Sequence, residues 1–268
     1  MQAEVEVRSN FLINSSMFRF GAYANGSIRI FNDHKINTPC ADINKDKLLN
    51  IDDGENYKYS KTGFGAPSFL LNNLAGGSYN FECNHPNGEQ TDINSTFANW
   101  VKLDETPSWD DTMGSNINSL QTKLTDNNRP ILTKSDGSPL INTMADLVNI
   151  AKQNHGNGIF KNQTISISDD FDLYNTSTLQ GINSLTFDNV SIFSSGSFGY
   201  SNNSSNTSES PVVVNFGGNS IVAANLIMLL NQQNIGNATY ISFSNLTLSG
   251  CILNNGRLYA KNDLTLTK

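Results

Sequence analysis

Charge is scarce in this sequence: 15% of its 268 residues are Asp, Glu, Lys or Arg, and the balance is acidic, with a formal charge of −7. The few Lys and Arg residues are dispersed, so the basic stripe that neutralises phosphates is missing and nucleic acid is excluded as an expected partner. Long apolar runs are missing too. The longest, Ile221 to Leu230, is broken by Asn225 and falls short of the roughly 20 residues a bilayer span needs, so no membrane span is expected. Histidine is limited to the scattered His34, His85 and His155, with no His-Glu-x-x-His and no Cys-x-x-Cys. No transition-metal site follows from such spacing.

Cysteine is nearly absent as well. Its three residues permit one disulfide. Cys40 and Cys83 lie in polar, turn-rich stretches and form the candidate pair, which would stabilise the fold by roughly 4 kcal/mol in an oxidising compartment. The alternative leaves both as thiols. Cys251, within Leu248-Ser-Gly-Cys-Ile-Leu253, reads as a buried thiol acting as a small hydrophobe.

Asn, Ser, Thr and Gly fill much of the remainder, a mixture that favours turns and short strands over amphipathic helices. The chain is therefore expected to be mainly β. Residues 3 to about 24 are the first exception: Val7, Phe11, Phe18 and Ala22 recur at spacings of four and seven, which predicts a helix with one apolar stripe ending at Asn25-Gly26. Ser27-Ile-Arg-Ile-Phe31 then alternates as a strand. Short apolar pieces such as Phe69-Leu-Leu71 and Tyr79-Asn-Phe81 follow between breakers. The punctuation around Pro107, Pro130, Asp136-Gly137 and Pro139 marks residues 100–139 as a connector. Thr143 can cap a second helix over 143–154, with Met144, Leu147, Val148 and Ala151 on one face; it would cover the open end of a stacked core.

After Gly158 the pattern changes to alternations of three or four residues, among them Thr164-Ile-Ser-Ile167, Leu185-Thr-Phe187, Val190-Ser-Ile192, Ile241-Ser-Phe243, Leu246-Thr-Leu248 and Leu264-Thr-Leu266. Separated by one- to four-residue corners, these fit the sides of a parallel β-helix, or β-solenoid. The 23 residues from Ile241 to Leu264 suggest a rung of twenty-odd residues. A two-sheet β-sandwich is the competing architecture. The expected division is 1–139, helix and β-rich region, and 140–268, solenoid-like body. Met1-Gln-Ala-Glu4 has neither the basic nor the apolar region of a signal peptide, and Leu264–Lys268 stops on a strand pattern without a cap, so the chain reads as a fragment of an exported protein. At the corners, Asn183, Asn189, Asn245 and Asn262 are candidates for inter-rung amide ladders.

The sharpest chemical motif is Asp42-Ile-Asn-Lys-Asp-Lys-Leu-Leu-Asn-Ile-Asp-Asp53. Oxygen side chains at Asp42, Asn44, Asp46, Asn50 and Asp53, with the Leu48 carbonyl between them, have the spacing that wraps Ca²⁺. The loop resembles those of EF-hands and, more closely, of dockerin modules. It departs from them at Lys47, where a glycine normally turns the chain, and at Asp53, where EF-hands use Glu; a dockerin's duplicated loop and flanking helices are missing.

The N-terminal stretch carries a second resemblance. A helix ending in Phe20-Gly-Ala-Tyr-Ala-Asn-Gly26 and passing directly into Ser27–Ile30 looks like the soluble half of the helix in minor type IV pilins. That resemblance implies a β body riding on a filament-docking helix, and an adhesive role.

Enzymatic signals are sparse. Ser197 in Ser195-Gly-Ser-Phe-Gly199 lacks the first glycine of a nucleophile elbow and reads as part of a Ser/Asn loop. Asp169, Asp170 and Asp172 are the one tight carboxylate group of the second half, on a corner where alternate residues diverge. The sequence thus predicts a non-enzymatic extracellular surface or filament-associated subunit with a structural Ca²⁺ site. Its expected partners are other filament or surface subunits and carbohydrate or host surfaces. A phage tail fibre or tailspike segment and a carbohydrate-active β-helix enzyme are the alternatives.

Overall fold

The computed structural model describes residues 22–31, 36–39, 64–72, 80–84, 90–94, 100–102, 108–124, 128–201, 210–231, 235–236, 238–251, 253–254 and 256–267. The protein is mainly β. Its first part supplies β1 (Ala22–Ala24), β2 (Ser27–Phe31), β3 (Ile36–Pro39), β4 (Phe64–Ala66), β5 (Ser68–Asn72), β6 (Asn80–Asn84), β7 (Gln90–Asn94) and β8 (Trp100–Lys102). Three helices follow, α1 (Trp109–Met113), α2 (Ile117–Leu124) and α3 (Met144–Gln153). The second part begins with β9 (Asn157–Lys161), β10 (Thr164–Ile167), β11 (Phe171–Asp172), β12 (Ser184–Asp188), β13 (Ser191–Gly199) and β14 (Val213–Gly217). It continues with β15 (Ser220–Leu230), β16 (Ala238–Ser242), β17 (Leu246–Ser249), β18 (Leu253–Asn254), β19 (Arg257–Ala260) and β20 (Leu264–Thr267).

Among the described residues, every strand pairing but β6–β7 is parallel. The hairpins of a two-sheet sandwich would give antiparallel ladders instead. Besides the four-stranded sheet β18–β3–β6–β7, three strips result. One holds β9, β12 and β14 in register. The other two share the long strands β13 and β15 and then separate, one into β16 and β19, the other into β17 and β20. Successive layers are offset by 27 residues where Thr164 lies beside Ser191, 30 where Ser191 meets Ile221, and 18 where Leu246 meets Leu264. The 23-residue spacing expected from Ile241 to Leu264 is corrected here. Ile241 lies beside Tyr259 and Leu264 beside Leu246, because the chain turns a corner between Ser242 and Leu246 and places the two motifs on different strips.

Inward side chains form columns along the stack. Phe160, Phe187 and Phe216 stack with ring centroids 5.3 and 5.4 Å apart, and Leu246, Leu264 and Ile28 are buried in line. Burial in this continuous core is what keeps strands of three to five residues ordered. Helix α3 closes one end: Thr143 and Asp146 form a capping box, and the face carrying Met144, Leu147, Val148 and Ala151 is buried against the core beside β9.

The sequence order breaks at the other end. Beyond β19 and β20 the stack continues with the N-terminal strands, β1 on β19 and β2 on β20, followed by β4 and β5. The 13-stranded sheet therefore contains strands from both sides of the 139/140 boundary. The helix expected over 3 to about 24 is corrected at its end. Ala22, Tyr23 and Ala24 are fully buried strand residues, paired with β19 on one side and β4 on the other, so both neighbours engage their backbone. Residues 1–21 lie outside the described residues.

The connector is not plain loop. Its helices α1 and α2 place Trp109, Met113, Ile117 and Leu120 over an outer column made by Phe193, Ala223, Ile241, Tyr259 and Tyr23, one residue per layer. Burying each large side chain contributes roughly 1.5–3 kcal/mol, so the strap is a packed element. Ser108 caps α1 by accepting the Asp111 N–H, and Lys261 reaches Asp110 at 2.9 Å.

Candidate functional site

The polar residues that could carry chemistry gather at the corners between strips, and there they bond to the next layer. Along one corner Asn162, Asn189 and Gly218 repeat a left-handed backbone, with φ of 49°, 55° and 53°. Asn tolerates that conformation and Gly adopts it freely. Asn189 Nδ2 donates to Asn162 Oδ1 at 2.8 Å, one layer away, an amide ladder of the kind expected for Asn189. Asn183 instead donates to the His155 carbonyl at 3.3 Å, and Asn262 to Ser244 Oγ at 3.4 Å.

The corner between the two long strips uses the same device with carboxylates. Asp170 Oδ1 accepts the N–H and the hydroxyl of Ser197 at 2.7 and 2.8 Å, across 27 residues of sequence. Asn225 donates to the Ser195 carbonyl. Asn245 Oδ1 accepts the Asp263 N–H at 3.2 Å, and Asp263 Oδ1 accepts the Ser27 N–H and hydroxyl at 2.7 and 2.8 Å. Arg29 completes this last joint, donating to Asp263 Oδ2 at 2.8 Å and to Ser27 Oγ at 3.0 Å.

The catalytic candidates take part in this arrangement. Ser197 lies on β13 rather than in a loop, is buried, and its hydroxyl donates a hydrogen bond to Asp170. Asp172 is buried, accepting the Tyr174 N–H and the Ser201 hydroxyl at 2.8 Å each, while Asp169 accepts the Asp170 N–H. The three carboxylates diverge, each onto a different partner. His155 is exposed at a turn with φ of 52°. Among the described residues no group of three or more His, Cys, Asp or Glu is placed to hold a metal ion. The Ca²⁺-type loop from Asp42 to Asp53, and the Cys40–Cys83 pair with its Cys83 side chain, lie outside the described residues. Cys251 is buried, its Sγ 3.3 Å from the Ser249 carbonyl and 3.4 Å from that of Leu229.

The joint residues Asp263, Ser27 and Arg29 are invisible as a group in the sequence. Burial pushes the Asp263 carboxyl up, but the Ser27 N–H and hydroxyl and the Arg29 guanidinium outweigh it and hold the group below its ordinary value. A depressed carboxylate adds stability that is fully present above its unfolded value and is lost as pH falls through the folded one. Asp263→Ala should therefore cost about 1–2 kcal/mol at neutral pH. The gap from the unmodified chain should narrow below about pH 4. A gap that stays constant from pH 7 to pH 2 in urea titrations would contradict the assignment. The chain matches no protein-family model, no curated protein and no solved structure.

Proposed function

We propose that the chain is a non-enzymatic, extracellular surface or filament-associated subunit of pilus-like type, whose parallel strips are the sides of a β-solenoid. The observation that supports this reading is the fate of the corner residues: Asp170, Asp172, Ser197 and Asp263, the best candidates for chemistry, hold neighbouring layers together. A body built that way presents short outward rows, such as Thr247, Thr265 and Arg29 along one strip and Thr186 beside Asn215 on another. Such rows suit contact with carbohydrate, host surface or neighbouring subunits. Antibodies against the chain should label intact cells or particles of its source; label that appears only after permeabilisation sinks the reading.

A structural Ca²⁺ site at Asp42, Asn44, Asp46, Leu48, Asn50 and Asp53 belongs to this proposal. Closing the loop brings Asp42, Asp46 and Asp53 together, and the cation removes their repulsion. At a hundredfold excess over Kd a ligand that binds only the folded form contributes about 2.7 kcal/mol. For a domain of this size that is a rise in Tm of about 5–10 °C. Asp42→Ala or Asp46→Ala should abolish the rise, and Mg²⁺ should substitute poorly because it dehydrates reluctantly. Calorimetry that detects no Ca²⁺ binding overturns the site.

A further inference from the structure

The joint between the last and the first strands is built like any other step in the stack. Asp263 donates its N–H back one layer to Asn245, 18 residues away in sequence, and Asp263 then accepts the N–H of Ser27, 236 residues away. Bond type and parallel register are the same in both steps. What the joint recognises is an edge of backbone, the buried pairs Ala22–Leu258, Ala24–Ala260 and Ile28–Leu264, and the carboxylate of Asp263. None of these depends on the path by which the chain connects the two sides.

We infer that this joint is also an interface between copies of the chain, in which segment 22–31 of one copy docks on the 257–267 edge of a second in place of that copy's own segment. The occupant is a second copy because only an identical segment brings the same register, the same small residues at 22 and 24, and the Ser27 and Arg29 donors. Within one chain the strap α1–α2 tethers the segment, and its packing on Phe193, Ala223 and Ile241 keeps the local concentration high. Exchange therefore takes over when copies fold together at high concentration, as in domain swapping. Because the two parts sit in the stack in the reverse of their sequence order, open exchange links copies head to tail. The inference stands independently of the compartment and role proposed above.

Arg29 and Thr265 are partners across the joint. Neighbouring strands about 4.8 Å apart fall within the roughly 4.4–6.8 Å a disulfide spans. Full-length Arg29→Cys and Thr265→Cys chains are unfolded under reductant, refolded together at high and at hundredfold lower concentration, and oxidised. The expected result is a disulfide-linked dimer whose 29–265 linkage is mapped by mass spectrometry. It should be at least fivefold more abundant at the higher concentration and absent when either variant is refolded with the unmodified chain. The double variant at low concentration should link within one chain. In-chain linkage without any mixed dimer overturns the proposal, and so does the absence of both.

Discussion

Phe187→Ala should lower the unfolding free energy by about 4 kcal/mol, read as a fall in the urea midpoint. The ring is fully buried and sits in the middle of three layers, 5.3 Å from Phe160, 5.4 Å from Phe216 and edge-on to Phe171 at 6.0 Å. Truncation removes transfer energy and leaves a cavity that cannot collapse, because the layers above and below are fixed at the strand spacing by their own hydrogen bonds. Phe216→Ala on the same background should be non-additive by about 0.5–1.5 kcal/mol, the worth of the stacked pair. A loss under 1 kcal/mol, or full additivity, would mean that these rings do not form one column.

Gly199→Ala should cost about 3–5 kcal/mol by the same measurement, since two penalties add. The backbone there has φ of +97°, where side chains are strained, and a Cβ would lie 2.2 Å from the Met228 carbonyl oxygen of the next layer. That oxygen cannot retreat, because it accepts the Tyr200 N–H at 2.7 Å. Gly181→Ala isolates the first penalty. Its φ is +80° and nothing lies within 4 Å of the new Cβ, so about 1–2 kcal/mol is expected. Equal losses at the two positions would remove the close approach of layers from the account.

Local physics made part of this architecture legible. Thr143 followed by Met144, Leu147, Val148 and Ala151 marks a capped amphipathic helix, and helix α3 runs over Met144–Gln153. The alternations Leu185/Phe187, Leu246/Leu248 and Leu264/Leu266 give strands with those side chains buried. Ala22-Tyr23-Ala24 misled because strap and core cover both faces of the strand, which erases the alternation that would mark it. The strap itself was readable in part, as Trp109, Met113, Ile117 and Leu120 recur at four, four and three behind the Ser108 cap. Gly114 and the flanking prolines hide it. The Asp263 joint was not readable at all, since nothing local to Ile28 or Leu264 names its partner.

The same distance in sequence sets a schedule for synthesis. Ser27 leaves the ribosome 236 residues before Asp263, which at about 5–20 residues per second is roughly 10–50 s. Throughout that interval β1 and β2 have no β19 or β20 to pair with, while hairpins form in microseconds. The β2–β20 and β1–β19 junctions of the finished sheet are thus among the last to form. Loop closure of such length slows folding far more than it weakens the folded state. The growing chain must carry an open strand edge until β19 and β20 are made.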